Sequence, residues 1–279
     1  MELVRCKFCD YNLLRINGKA NKVYPYLRCA NGNMWMTSVS PTHGRSYIVD
    51  HTANGNYIIS KGNGLSYSLY NFINTREIGD ETLGLLLKND ALRDYHMGME
   101  IASLGIKTNF MEYVIELGDL VTLPTGNQIH PVLLQYKVEC PYRINDAAFM
   151  TKKEIERFVS KWSSDNPFEY KYQIAAERLV KNLRLLHDAK ILHNAITTHN
   201  ITWALELLDF ELACSPNMPY DTEDERRHVK DLFSREIIGT YQIIKFIAGV
   251  LKETVDDAFV DSVYADYGFK LSEYKVDYE

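Results

Sequence analysis

The chain has 279 residues, 46% of them apolar and 24% charged, with 31 lysines and arginines against 37 aspartates and glutamates for a net charge of −6. That length supports a buried core in one large domain or two small ones. The acidic balance speaks against a nucleic-acid footprint, and no run of about 18 apolar residues is present to span a bilayer. The opening Met1-Glu2-Leu3-Val4-Arg5-Cys6 lacks the basic segment and apolar run of a secretory signal. Five cysteines are an odd number and too few for a disulfide scaffold. The expectation is a cytoplasmic protein with reduced thiols and neither nucleic acid nor membrane as partner.

The first third reads as strands and turns. Asn31-Gly32-Asn33 precedes the alternating Met34 to Val39, then Ser40-Pro41-Thr42-His43-Gly44 breaks the run before Arg45 to Val49. A second turn at Asn54-Gly55, residues that tolerate positive φ, leads into Tyr57 to Lys61. Three antiparallel strands are predicted there. Leu83, Leu86, Leu87, Ala91, Leu92, Tyr95, Met99 and Ala102 recur at helical spacing before Gly105, which predicts a helix near 90–104. Phe110 to Leu117 and Val132 to Val138 predict two more strands, for a five-stranded sheet with one helix.

Beyond Cys140-Pro141 the pattern turns helical. Thr151 with Glu154 three residues on is a capping-box signal for a helix over Lys152 to Trp162. Tyr170 to Asp188 carries Ile174, Leu179, Leu183 and Leu186 on one face, and Asp224 to Val260 is again helical. Ile191 to His193 and Trp203 to Phe210 read as short strands between them. The fold class expected is α+β, with a β-rich N-terminal lobe over residues 1–138 and an α-rich lobe over 139–279.

Two lobes in that order suggest a nucleotide cleft. Lys61 ends the third strand and is followed by Gly62-Asn63-Gly64, so a lysine could neutralise phosphate oxygens while glycines let the backbone approach. Asn200 and, nine residues later, Asp209 offer an amide oxygen and a carboxylate at hairpin-like separation, donors that suit Mg²⁺. The alternative reading gives Asn200 a turn to cap and Asp209 an arginine to pair with. Cys6-x-x-Cys9 with Cys29 and His43 offers zinc donors at irregular spacing, which favours ordinary thiols.

These segments resemble, in order, the protein-kinase-like fold, and within it the selenoprotein O family of AMP-transferring pseudokinases. Gly44-Arg45 is similar to the glycine-loop hairpin, and Lys61-Gly62-Asn63-Gly64-Leu65-Ser66-Tyr67-Ser68 to the family's lysine segment. Leu92-Arg93-Asp94, then Leu104 to Thr108, is similar to the helix whose acidic residue pairs with that lysine, a place Asp94 takes; Glu100 is a second candidate. Cys140-Pro141-Tyr142-Arg143 resembles the segment that sends an arginine to the nucleotide phosphates, and His193 to Asn200 resembles the metal-binding loop. Two departures stand out: His199 occupies the family's acidic position before the asparagine, and Ala195 aligns with the kinase catalytic aspartate.

The resemblance implies a two-lobed kinase-like protein that binds ATP and Mg²⁺. Lys61, Gly44, Arg45 and Arg143 would serve the nucleotide, Asn200 and Asp209 the metal, with Asp94 pairing Lys61 and His199 as base. It implies transfer of AMP to a hydroxyl of a protein or peptide substrate. Ordinary γ-phosphoryl transfer to a protein, peptide or small molecule, and a catalytically inactive pseudokinase acting as a binding module, are the alternatives.

Overall fold

The computed structural model describes residues 1–18, 22–39, 44–75, 82–162, 168–219 and 223–275, with backbone alone for 72–75, 223–232 and 275. The turn residues Ser40 to His43 lie outside the described residues. The chain divides into two compact units, Met1–Met99 with Asn109–Tyr142, and Glu100–Thr108 with Arg143–Glu279. The first is β-rich and the second helical, as the α+β expectation requires.

The first unit holds β1 (Leu3–Phe8), β2 (Tyr11–Ile16), β3 (Tyr26–Arg28), β4 (Met34–Ser38), β5 (Ser46–His51), β6 (Tyr57–Lys61), α1 (Tyr67–Thr75), most of α2 (Lys88–Ser103), β7 (Phe110–Leu117), β8 (Val121–Thr122), β9 (Gln128–Ile129) and β10 (Val132–Val138). β8 and β9 form a ribbon, and the other strands make one eight-stranded sheet in the order β2-β7-β10-β6-β5-β4-β1-β3. The sheet is therefore larger than the five strands expected, with β1, β2, β3 and helix α1 added. The expected order of β4, β5 and β6 holds, with Thr37 opposite Ile48 and Ile48 opposite Ile59.

The β5–β6 turn differs from a two-residue hairpin. Gly55 N–H donates to Thr52 O (2.9 Å), Thr52 N–H to Asn56 O (2.8 Å), and of Asn54 and Gly55 only Gly55 has positive φ, +78°. That is the three-residue loop whose last residue is left-handed. Two apolar clusters anchor the sheet: Val4, Cys6, Met36 and Tyr47 in one, Cys9, Leu27, Tyr113, Ile115, Leu117 and Leu133 in the other.

The second unit contains a short 3-10 helix (Ile144–Phe149), then α3 (Lys152–Val159), α4 (Lys171–Asp188), α5 (Glu223–Leu251), α6 (Asp257–Asp266) and α7 (Ser272–Lys275). Thr151 Oγ1 accepts from Glu154 N–H while Glu154 Oε2 accepts from Thr151 N–H (2.7 Å), the capping box expected. α4 buries Ile174, Leu179, Val180, Leu183 and Leu186, and its first N–H groups donate to Glu253 at 3.0 and 2.8 Å.

α5 stops at Leu251, short of the helix expected through Val260. Lys252 is left-handed (φ 59°) and Glu253 N–H reaches back to Ala248 O at 2.9 Å, the hydrogen bond of a Schellman ending. α6 restarts behind Asp256, whose side chain accepts from the N–H groups of Ala258 and Phe259. Among the described residues no helix is long and apolar enough to cross a membrane.

Candidate nucleotide-handling site

In the first unit, Lys61 ends β6 with its side chain 2% exposed, and its Nζ lies 2.7 Å from Oδ2 of Asp94, 1% exposed. Asp94 reaches it because α2 turns Ala91, Asp94, Tyr95 and Gly98 toward the interior, one face at helical spacing. Burial this deep demands that each charge be compensated. The shorter aspartate meets the lysine directly. Glu100, the second candidate, is engaged in the other unit, where it accepts from Ser215 Oγ and Asn217 Nδ2, each at 2.9 Å.

The Lys61-Gly62-Asn63-Gly64 segment is tightly built in. Gly62 has φ +95°, and a Cβ there would meet Val132 O at 2.7 Å, so neither the conformation nor the space admits a side chain. Asn63 is fully buried and donates to Tyr26 O (2.6 Å) and Ser60 Oγ (2.9 Å). Gly44 is packed rather than open: its carbonyl accepts from Ser66 N–H, and the Tyr47 hydroxyl lies 2.9 Å from the carbonyl oxygens of both Gly44 and Gly64. Burial holds the Tyr47 phenol well above its usual range, so it remains a proton donor. Arg45 contributes its carbonyl to Gly62 N–H at 3.0 Å.

In the second unit, residues 200–209 fold as a hairpin rather than the strand expected over Trp203 to Phe210. Leu208 N–H donates to Asn200 O (2.9 Å) and Thr202 N–H to Glu206 O (3.0 Å), with Leu205 left-handed in the turn. Thr202 Oγ1 and Glu206 Oε2 close the loop at 2.9 Å. The hairpin brings its ends, Asn200 and Asp209, onto one guanidinium. Nη1 of Arg143, a residue 4% exposed, donates to His199 O and to Asn200 Oδ1 (2.8 Å), and stands 3.6 Å from Asp209 Oδ2. Asn200 Nδ2 donates to Ala195 O at 3.0 Å, which turns its amide oxygen toward the arginine. Asp209 is left-handed (φ 67°), a conformation costing of order 1 kcal/mol or more outside glycine.

His193, fully buried, is a strut of this loop. Its Nε2 bonds Leu208 O at 2.8 Å and its Nδ1 accepts from Ala195 N–H, so it is the neutral tautomer with Nε2 protonated. His199 is exposed, and Nδ2 of Asn145 lies 3.0 Å from its Nδ1. That contact engages one of the two ring nitrogens that a general base would offer.

Glu236 on α5 is a positioning residue that no pattern in the chain announces. One carboxylate oxygen accepts from the N–H groups of His193 (2.7 Å) and Asn194 (2.8 Å), and the other meets His187 Nε2 at 3.0 Å. Its sequence neighbourhood is that of any amphipathic helix. Cys6 and Cys9 belong to different apolar clusters, and among the described residues no trio of metal-ligating side chains includes a cysteine. Burial raises the Cys6 thiol to about 11 and the Cys9 thiol to about 12, the latter helped by its hydrogen bond to Asp119, opposite to a thiolate ligand.

The amide and carboxylate oxygens of Asn200 and Asp209 are the right chemistry for Mg²⁺, and both lie near the Arg143 guanidinium, at 2.8 and 3.6 Å from its Nη1. No protein-family model matches the chain, and no curated protein does. Among solved structures, it is similar to a Toxoplasma gondii specific rhoptry antigen kinase domain, at 10% identity over 89% of this chain and 86% of that one, with a TM-score of 0.45. It is also similar to a Stt7 homolog from Micromonas algae soaked with ATP (14% identity, 89% and 80% covered, TM-score 0.37). A third is WaaP in complex with acyl carrier protein (11% identity, 80% and 86% covered, TM-score 0.28). At such scores these likenesses carry no part of the functional reading.

Proposed function

We propose that this protein is an ATP-using transferase of the kinase-like class that modifies a hydroxyl of a protein or peptide substrate, with AMP rather than phosphate as the group moved. The observation that carries the reading is the buried Lys61–Asp94 ion pair at 2.7 Å, at the strand end and helix position where the kinase-like pattern requires a phosphate-neutralising lysine and its acidic partner. Arg143, Asn200 and Asp209 add a cation and two oxygen donors at the ends of one hairpin. In this reading Lys61 offsets charge on the nucleotide phosphates, and Asp94 holds its ammonium in place. AMP transfer and a protein hydroxyl as acceptor come from the selenoprotein O resemblance of the lysine and loop segments.

A second reading, an inactive nucleotide-binding module, is favoured by one observation, that Nδ1 of His199 is engaged by Asn145 at 3.0 Å, and by the resemblance, in which Ala195 stands where kinases carry their aspartate. Intact-mass spectrometry separates the readings. The protein is incubated with ATP and a divalent metal, alone and with a cell lysate, beside the Lys61→Met variant. A gain of one AMP per event, absent in the variant, is the expected result. A gain of one phosphate reassigns the reaction, ATP binding without any gain selects the inactive module, and no ATP binding overturns the proposal.

A further inference from the structure

Three oxygens of different kinds face one nitrogen in the second unit: the amide oxygen of Asn200 (2.8 Å), the backbone carbonyl of His199, and the Asp209 carboxylate (3.6 Å), all toward Nη1 of Arg143. Hard oxygens gathered in this way are the donor set of a small divalent cation. Here a protonated nitrogen sits among them.

The arginine is held there by its backbone as well. Its N–H donates to Asp146 Oδ2 at 2.8 Å, and the following residues bond the same loop, Ile144 N–H to Ile201 O (2.8 Å) and Asn145 N–H to Thr198 O (3.2 Å). Its side chain is thus delivered to Asn200 by the segment that positions Asn200. The guanidinium stays charged at any ordinary pH, and a dication within a few ångströms of it is strongly repelled in this buried setting.

We propose that Arg143 is a built-in competitor for the divalent metal: its guanidinium and a metal ion occupy the Asn200–Asp209 oxygens in turn, never together, so metal enters only when the arginine side chain leaves. The arginine would then be released to anionic groups elsewhere at the moment the metal arrives. Metal affinity is set by this exchange. The inference needs no nucleotide and stands apart from the transferase reading.

The test is Mn²⁺ binding to the intact protein without nucleotide, read from the free-ion electron paramagnetic resonance signal. The wild type is expected to bind only at millimolar Mn²⁺, Arg143→Met at least about tenfold more tightly once the competing charge is gone, and addition of Asp209→Asn to Arg143→Met to abolish the gain. Micromolar binding by the wild type, or no gain in Arg143→Met, overturns the proposal. Should Arg143→Met fail to fold, Arg143→Gln replaces it under the same expectations, and the wild-type affinity remains decisive by itself.

Discussion

Lys61 is an ammonium with 2% of its side chain exposed, and its nearest carboxylate, on Asp94, is as deeply buried. Removing one member of such a pair leaves the other charge buried without its 2.7 Å counter-ion. Asp94→Ala is therefore expected to lower stability in urea denaturation by about 3–5 kcal/mol, whereas the joint Lys61→Met, Asp94→Leu replacement costs much less. A single-variant loss below about 1 kcal/mol would place the pair among weak surface bridges. Lys61 was legible in the chain as a lysine ahead of a glycine turn, whereas Asp94 was named as its partner only through the family resemblance, because an acid on a helix does not by itself point to a lysine 33 residues away. The grip of Arg143 on Asn200 was not legible, since an arginine that reaches phosphates and one that fills a metal position look alike in sequence. Glu236 was invisible for a different reason: its partners are 42 and more residues away.

Helix α3 shows how much an element's ends carry. Its capping box satisfies N–H groups that helix geometry leaves without partners, and Thr151→Ala is expected to cost about 1 kcal/mol by thermal or urea melting. The Thr151 N–H, and then its hydroxyl, hold the Glu154 carboxyl below its ordinary value of 4.5. The lower folded pKa means that the unfolded chain takes up the proton first, so this contribution is complete above about pH 4.5 and fades as pH falls through the folded value. The wild type and Glu154→Gln should therefore converge in stability at low pH; a constant gap across that range would remove the carboxylate from the account.

Other elements were hidden by their patterning. β1 is the exception: Val4, Cys6 and Phe8 alternate with Arg5 and Lys7, a readable two-residue period in a strand of only 6 residues, with Val4 and Cys6 buried and Phe8 exposed. β2 has no fully buried residue, and β3 has three residues, too few for any period. The breaks at Lys252 and Asp256 divide a stretch whose apolar spacing reads as continuous.

On the scale of the whole chain, the units do not follow one another along the sequence. Glu100–Thr108 belongs with the helical unit although the strands that follow return to the β-rich one. Lys107 O accepts from Leu207 N–H (2.9 Å), its Nζ donates to Ala204 O (3.1 Å), and Thr108 bridges Leu207 in parallel. A fragment beginning at Arg143 is expected to leave the Leu207 amide unprotected in hydrogen exchange, whereas the intact chain protects it. Equal protection in both would show that the hairpin needs no support from residues 100–108. The β-to-α change of character near residue 140 was readable from composition and period, but the return of nine residues was not, because membership of a unit depends on partners a hundred positions away.

That short segment also constrains inheritance. A single recombination point anywhere between residues 109 and 142 would join a new helical half to an old Glu100–Thr108, and the hairpin, held by that segment at Ala204 and Leu207, would meet a foreign partner. The two halves of the gene can diverge freely only where they leave that nine-residue graft and its hairpin matched, so they are expected to travel through descent as one piece.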